Sequence, residues 1–133
     1  MPADEREIMR DWLVRHQHDY DEFQAQVHLG QGLILGDDFD AVTRRQAQVS
    51  TQKRADLVAI QTTSVCLIEF KSRIGSRAIG QLLIYRDLWN TEHPERPVGL
   101  LLAVGRTADP DIYKLLPAYG ITVELISAAA TLA

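Results

Sequence analysis

Apolar positions along this chain switch between helical and strand spacing, and the switches mark out its elements. Over residues 4–16, Ile8, Trp12 and Arg15 or His16 recur at helical intervals, with Met9 and Leu13 beside them. Acids crowd the first turn, where the helix dipole favours negative charge. Residues 22–29 alternate, with Phe23, Ala25, Val27 and Leu29 on one face and polar residues on the other, the mark of a half-buried strand. The glycine-rich stretch 30–36 reads as a loop, because its glycine spacing does not match a dinucleotide fingerprint. Asp38 is placed to cap a short helix containing Phe39, Val42 and Arg45.

Residues 53–60 and 65–71 are two apolar strand-like runs, and the short polar link Gln61-Thr62-Thr63-Ser64 predicts a hairpin between them. A helix is expected over 77–90, with Ser76 as its cap and a stripe of Ile79, Leu82, Leu83, Arg86, Leu88 and Trp89. Residues 97–104 read as a strand buried on both faces, 109–116 as a short helix opened by Asp109-Pro110, and 121–126 as a last strand. The small-residue tail, 127–133, is expected to be frayed or weakly helical. This order predicts an α/β (α+β) fold: a mixed central sheet flanked by helices, α-β-β-β-α-β with a C-terminal α-β.

Length and composition agree with one domain over 1–133: 133 residues, 46% hydrophobic and 24% charged, suffice for one core and not for two. No apolar run reaches the roughly 18 residues of a membrane span. The polar, acidic N-terminus is unlike a secretory signal. The lone Cys66 lies in an apolar run and reads as a buried structural thiol, so the expected compartment is a reducing, bacterial-type cytoplasm. The net charge of −4 conceals an asymmetry, since residues 44–86 carry eight basic side chains and only Asp56 and Glu69 as acids. A basic middle in an acidic protein suits either a polyanion-binding face or a solvated face neutralised by its neighbours.

Those two acids are the notable chemistry. A hairpin paired symmetrically about Thr62-Thr63 sets Ile60 opposite Val65, Val58 opposite Leu67, Asp56 opposite Glu69 and Arg54 opposite Lys71. Asp56, Glu69 and Lys71 then share one face of the sheet. Two facing carboxylates repel unless a positive charge lies between them, and Mg²⁺ or Mn²⁺ is the hard cation that oxygen ligands select. Lys71 could orient a water or stabilise developing negative charge. The competing reading is a cross-strand ion pair, Asp56 with Lys71 or Glu69 with Arg54. Arg54, Arg73, Ser76 and Arg77 are candidates to hold phosphates, the last two at a helix N-terminus; Lys53, Arg44 and Arg45 are weaker ones. Tyr85 and Trp89 read as core or dimer contacts, and the apolar side chains over 82–89 would suit a homodimer. His16 and His18 lack a convincing metal spacing. No P-loop, zincin, nucleophile-elbow or zinc-finger pattern occurs.

With Asp56 in one strand, Glu69-Phe70-Lys71 in the next and Gly80-Gln81-Leu82-Leu83-Ile84-Tyr85 on the following helix, the chain resembles the PD-(D/E)XK nuclease superfamily. The resemblance spans roughly residues 4–104, and Ala55 stands where the family's name has Pro. It implies that Asp56 and Glu69 hold the divalent metal, that Lys71 serves the attacking water, and that Gln81 lies near the site. The family's further acid has three candidates here: Glu5, Glu7 and Glu22. The expected activity is Mg²⁺-dependent phosphodiester hydrolysis, in DNA, in the cytoplasm. The alternatives are a non-catalytic nucleic-acid-binding or accessory protein on the same fold, and a structural domain with an internal ion-pair network.

Overall fold

The computed structural model describes residues 1–128. Helix α1 (Ala3–His16) buries Ile8 and Trp12 and carries Asp4 and Glu5 in its first turn and Arg15 and His16 in its last. Both charge sets complement the helix dipole. Strand β1 (Glu22–Leu29) follows, then helix α2 (Ala41–Thr51). The cap of α2 is Asp40, which accepts the Thr43 backbone N–H at 2.7 Å, rather than Asp38; Phe39 therefore lies ahead of the helix. An aspartate at either position satisfies the capping preference, and only the backbone turn at Asp40 decides between them.

Strands β2 (Lys53–Ile60) and β3 (Val65–Ile74) form the expected hairpin, closed by Gln61 N–H to the Ser64 carbonyl at 3.0 Å. Helix α3 (Ser76–Glu92) begins with Ser76 inside it; its N-cap is Gly75, without a side-chain cap. Its stripe of Ala78, Leu82, Tyr85 and Trp89 is buried against the sheet, while Ile84 on the same helix is exposed. Strands β3 and β4 (Val98–Ala108) both run further than expected. The helix after them divides into α4 (Pro110–Tyr113), capped by Asp109, and a 3-10 turn (Leu116–Tyr119) before β5 (Ile121–Leu125). The tail from 129 onward lies outside the described residues.

The five strands lie in the order β1-β2-β3-β4-β5. The first three are antiparallel and the last two join in parallel, so β3 is the centre of a mixed sheet. Each face carries a separate core. On one, α1 packs Ile8 and Trp12 over Leu57, Ala59, Ile68, Phe70 and Val104. On the other, α3 packs Leu82, Tyr85 and Trp89 over Val58, Leu67, Leu101 and Ala103. No helix among the described residues is long and apolar enough to cross a membrane.

One rung breaks the regularity. The β1–β2 ladder pairs Ala25 with Leu57 and Val27 with Ala55 but omits Gln26 and Asp56 between them. Gln26 has φ of 52°, the left-handed region that a residue with a Cβ seldom enters. Odd positions of both strands change face across this rung: Phe23 and Leu57 belong to the α1 side, Val27, Leu29 and Ala55 to the α3 side. Because both strands kink together, register is the same before and after. The matched kink falls at Asp56.

Candidate active site

Asp56 and Glu69 meet where the β2–β3 ladder ends. That ladder runs from Ile60–Val65 to Leu57–Ile68, the register read from the sequence, and its last pair is the one before Asp56 and Glu69. There the side chains replace the ladder. Glu69 Oε1 accepts the Asp56 backbone N–H at 3.0 Å, and Asp56 Oδ2 accepts the Phe70 N–H at 2.9 Å. Each carboxyl is thereby fixed to the opposing backbone, and the strands stay joined without their own rungs.

Glu69 is only 2% exposed. Burial pushes its carboxyl up to about 9, and the adjoining Asp56 charge adds to that rise, while Lys71 opposes it. These crossed bonds bring the two carboxyl groups together. Two acids this close cannot both be ionised cheaply, so a proton or a cation must lie between them.

The surroundings are drawn from four elements. Lys71 leaves Glu69 along β3 and reaches both Glu69 and Glu5 electrostatically. Glu5 comes from the first turn of α1: burial raises its pKa, Lys71 pulls it back, and Asp56 raises it again. This end of α1 is tied to β3 by a hydrogen bond from Ser72 Oγ to Asp4 Oδ2, one residue beyond Lys71. From β4, Gly105 pairs with Lys71, and a Cβ on it would stand 2.6 Å from the Lys71 carbonyl oxygen. From α3, Tyr85 has its hydroxyl pushed up to about 12 by burial and by the charges of Glu69 and Asp56. Gln81 neighbours that hydroxyl, and its own Oε1 is buried with no hydrogen-bond partner among the described residues.

The other sequence candidates divide by position. Arg54 is exposed on β2, paired with His28 of β1, and the β2–β3 ladder does not extend to an Arg54–Lys71 rung. Arg73 is exposed on β3, while Ser76 and Arg77 are exposed in the first turn of α3, with the Arg77 charge felt at Tyr85. Lys53 and Arg45 are exposed, and Arg44 pairs with Asp37 at 3.2 Å. Glu7 is exposed on α1. Glu22 pairs with Ile60 at the turn end of the hairpin, about 13 Å along the strand from Asp56 at 3.3 Å per residue. Of the three further acids, Glu5 is the one that joins the site. Cys66 is buried, and burial raises its thiol to about 12, in keeping with an inert structural role.

Sequence reasoning missed two groups. Tyr85 reads from the sequence as a core or dimer contact, since a tyrosine on an apolar stripe gives no sign of what its hydroxyl meets. Asp11 was passed over as one more acid on α1; it is buried and bonded to Arg106 Nη2 at 2.6 Å. Across the same face His16 bonds Glu124 at 2.9 Å and Asp19 at 2.7 Å, and Trp12 Nε1 donates to Glu124 at 3.1 Å, so both histidine nitrogens are committed to carboxylates.

The acid pair fits a divalent cation on its own chemistry. It is an all-oxygen donor set whose buried member is only partly compensated by Lys71, and each carboxyl spends one oxygen on a backbone N–H and keeps one. Among the described residues no group of three or more His, Cys, Asp or Glu converges to hold a metal. A cation here would rest on two carboxylates and water, a shell that Mg²⁺ accepts. No protein-family model, curated protein or solved structure matches the chain.

Proposed function

We propose that this protein is a Mg²⁺-dependent nuclease that hydrolyses phosphodiester bonds in DNA, in the manner of the PD-(D/E)XK superfamily. The observation carrying this reading is the Asp56–Glu69 pair: two carboxyl groups, each bonded to the backbone of the other's strand, one of them buried, with the Lys71 charge felt at Glu69. Asp56 and Glu69 would hold the cation through the oxygens not engaged by backbone. When bound, it would supply positive charge at the scissile phosphate and lower the pKa of a water. Lys71 would orient the attacking water and offset charge on the phosphoryl oxygens. Glu5 would balance Lys71 from α1 and keep its ammonium turned toward the site. The orphaned Gln81 Oε1 accepts a hydrogen bond, so it would position a water or a sugar hydroxyl and not a phosphate oxygen. Exposed Arg54, Arg73 and Arg77, with Ser76, would bind flanking phosphates and contribute affinity without base selectivity.

The test is cleavage of labelled single-stranded, duplex and branched DNA, with RNA alongside, in Mg²⁺ or Mn²⁺. Asp56→Ala and Lys71→Ala should each lower the rate on the order of 10²–10⁴-fold, the range of a lost positioned acid, base or charge, while circular dichroism shows the fold retained. Wild-type cleavage that persists in excess EDTA would sink the proposal. Salt-dependent DNA binding without cleavage in either metal would favour the binding-module alternative.

A further inference from the structure

Helix α2 is unlike every other long element in the molecule: it has no buried residue. It makes no substantial packing contact with any strand or other helix. Its own loop holds it by polar contacts at one end: Thr51 Oγ1 accepts the Leu33 N–H at 2.6 Å, and Gln52 Nε2 donates to the Gly30 carbonyl at 3.0 Å. Gly32, at φ +70°, lies so close that a Cβ would stand 2.3 Å from the Gln48 carbonyl oxygen. An 11-residue helix without a packed face is marginal in water. Yet its sequence carries a seam. Val42 and Val49 are seven residues apart, the coiled-coil interval, and with Arg45, Gln46 and Ser50 they line a groove of about 500 Å³. Val42 is 66% exposed and Ile34 64%, and Leu33, Phe39 and Val49 are exposed with them. Exposed apolar side chains concentrated in one stretch mark an interaction surface.

The charges flanking α2 identify the occupant. Asp38 and Asp40 precede it and Lys53 and Arg54 follow it, all exposed, while Asp37 is paired with Arg44 of the helix itself at 3.2 Å. A helix with an acidic N-flank and a basic C-flank is complementary to itself in antiparallel orientation. We infer that α2 is the dimer interface of this protein, two copies pairing antiparallel across a two-fold axis. Val42 of each copy packs against Val49 of the other, and Asp38 before one helix lies beside Lys53 after the other. Such an isologous contact closes on itself and buries the same patch twice. The interface is small for a specific one, so dissociation in the micromolar range is expected. This inference does not rest on the nuclease reading.

Sedimentation velocity on the full chain, from about 1 µM to 1 mM, tests it. The wild type should shift from monomer to dimer over that range. V42E with V49E should stay monomeric at every concentration, with its circular dichroism spectrum kept because both positions are exposed. Asp38→Lys and Lys53→Glu should each weaken the dimer about three- to tenfold, acting at two symmetry-related contacts, and combined they should restore it. A monomeric wild type at 1 mM, or a dimer indifferent to the double valine change, would overturn the inference. Failure of the charge reversals to compensate each other would overturn the antiparallel arrangement.

Discussion

Among the described residues, two carboxylic acids are buried, Asp11 and Glu69, and their environments are opposite. Asp11, 7% exposed, faces the Arg106 guanidinium, which also donates to the Ile126 carbonyl at 3.1 Å. Glu69, 2% exposed, faces another acid. Asp11 therefore has its countercharge built into the chain and pins α1 to β4. Glu69 has a partner that makes its ionisation harder. Burying a charge beside a like charge opposes stability, and such arrangements persist where the missing charge is supplied from outside. The comparison separates an acid paired with a built-in countercharge from an acid set beside a like charge, the arrangement on which the proposed site rests.

Substitutions should move the two acids in opposite directions. The largest stability effect is expected from Asp11→Ala, which strands Arg106; since that side chain keeps some solvent contact, the loss should be about 1–3 kcal/mol by urea unfolding. Glu69→Gln should instead stabilise the metal-free protein at neutral and alkaline pH, by about 1–3 kcal/mol, because it removes an acid that resists ionising in the folded state. The sign follows from linkage. Glu69 binds its proton more tightly folded than unfolded, so its contribution is fully present below about 4.5 and is lost as pH rises toward about 9. Stability of the wild type should decline over that window, and Glu69→Gln should flatten the decline and match wild type near pH 4. Equal stability of the two at pH 8 would remove the contrast with Asp11.

A smaller effect should come from His16. Burial alone would lower its pKa, but hydrogen bonds to Glu124 and Asp19 outweigh that and raise it. Its contribution is present below the ordinary histidine value near 6.5 and fades as pH rises through the raised one. His16→Gln should cost about 0.5–1 kcal/mol at pH 6 and little at pH 9. A cost that is the same at both pH values would show that packing on Trp12, not charge, is what His16 supplies.

Much of the frame could be read from periodicity, because the hairpin's alternation and its short polar turn together fix one register. Ile60–Val65 and Val58–Leu67 are paired as that reasoning required. What escaped it depends on distant parts of the chain. Nothing local distinguishes Glu5 from Glu7; the Asp4–Ser72 contact and the face that α1 turns to the sheet decide. Nothing local says that Asp11 will meet Arg106, 95 positions away. The kink at Gln26 is equally silent, since a glutamine in an alternating strand gives no sign of a positive φ. Helix α2 was legible as a helix but not as an isolated one, because its few apolar positions look the same whether they face a core or solvent.

The central claim is that the Asp56–Glu69 pair exchanges a proton for a divalent cation. Titration calorimetry with Mn²⁺ at pH 7, in two buffers of different ionisation enthalpy, counts that exchange directly. About one proton should be released per ion bound, and Glu69→Gln should abolish the release. No binding at millimolar Mn²⁺, or binding with no proton release and unchanged by Glu69→Gln, would contradict it.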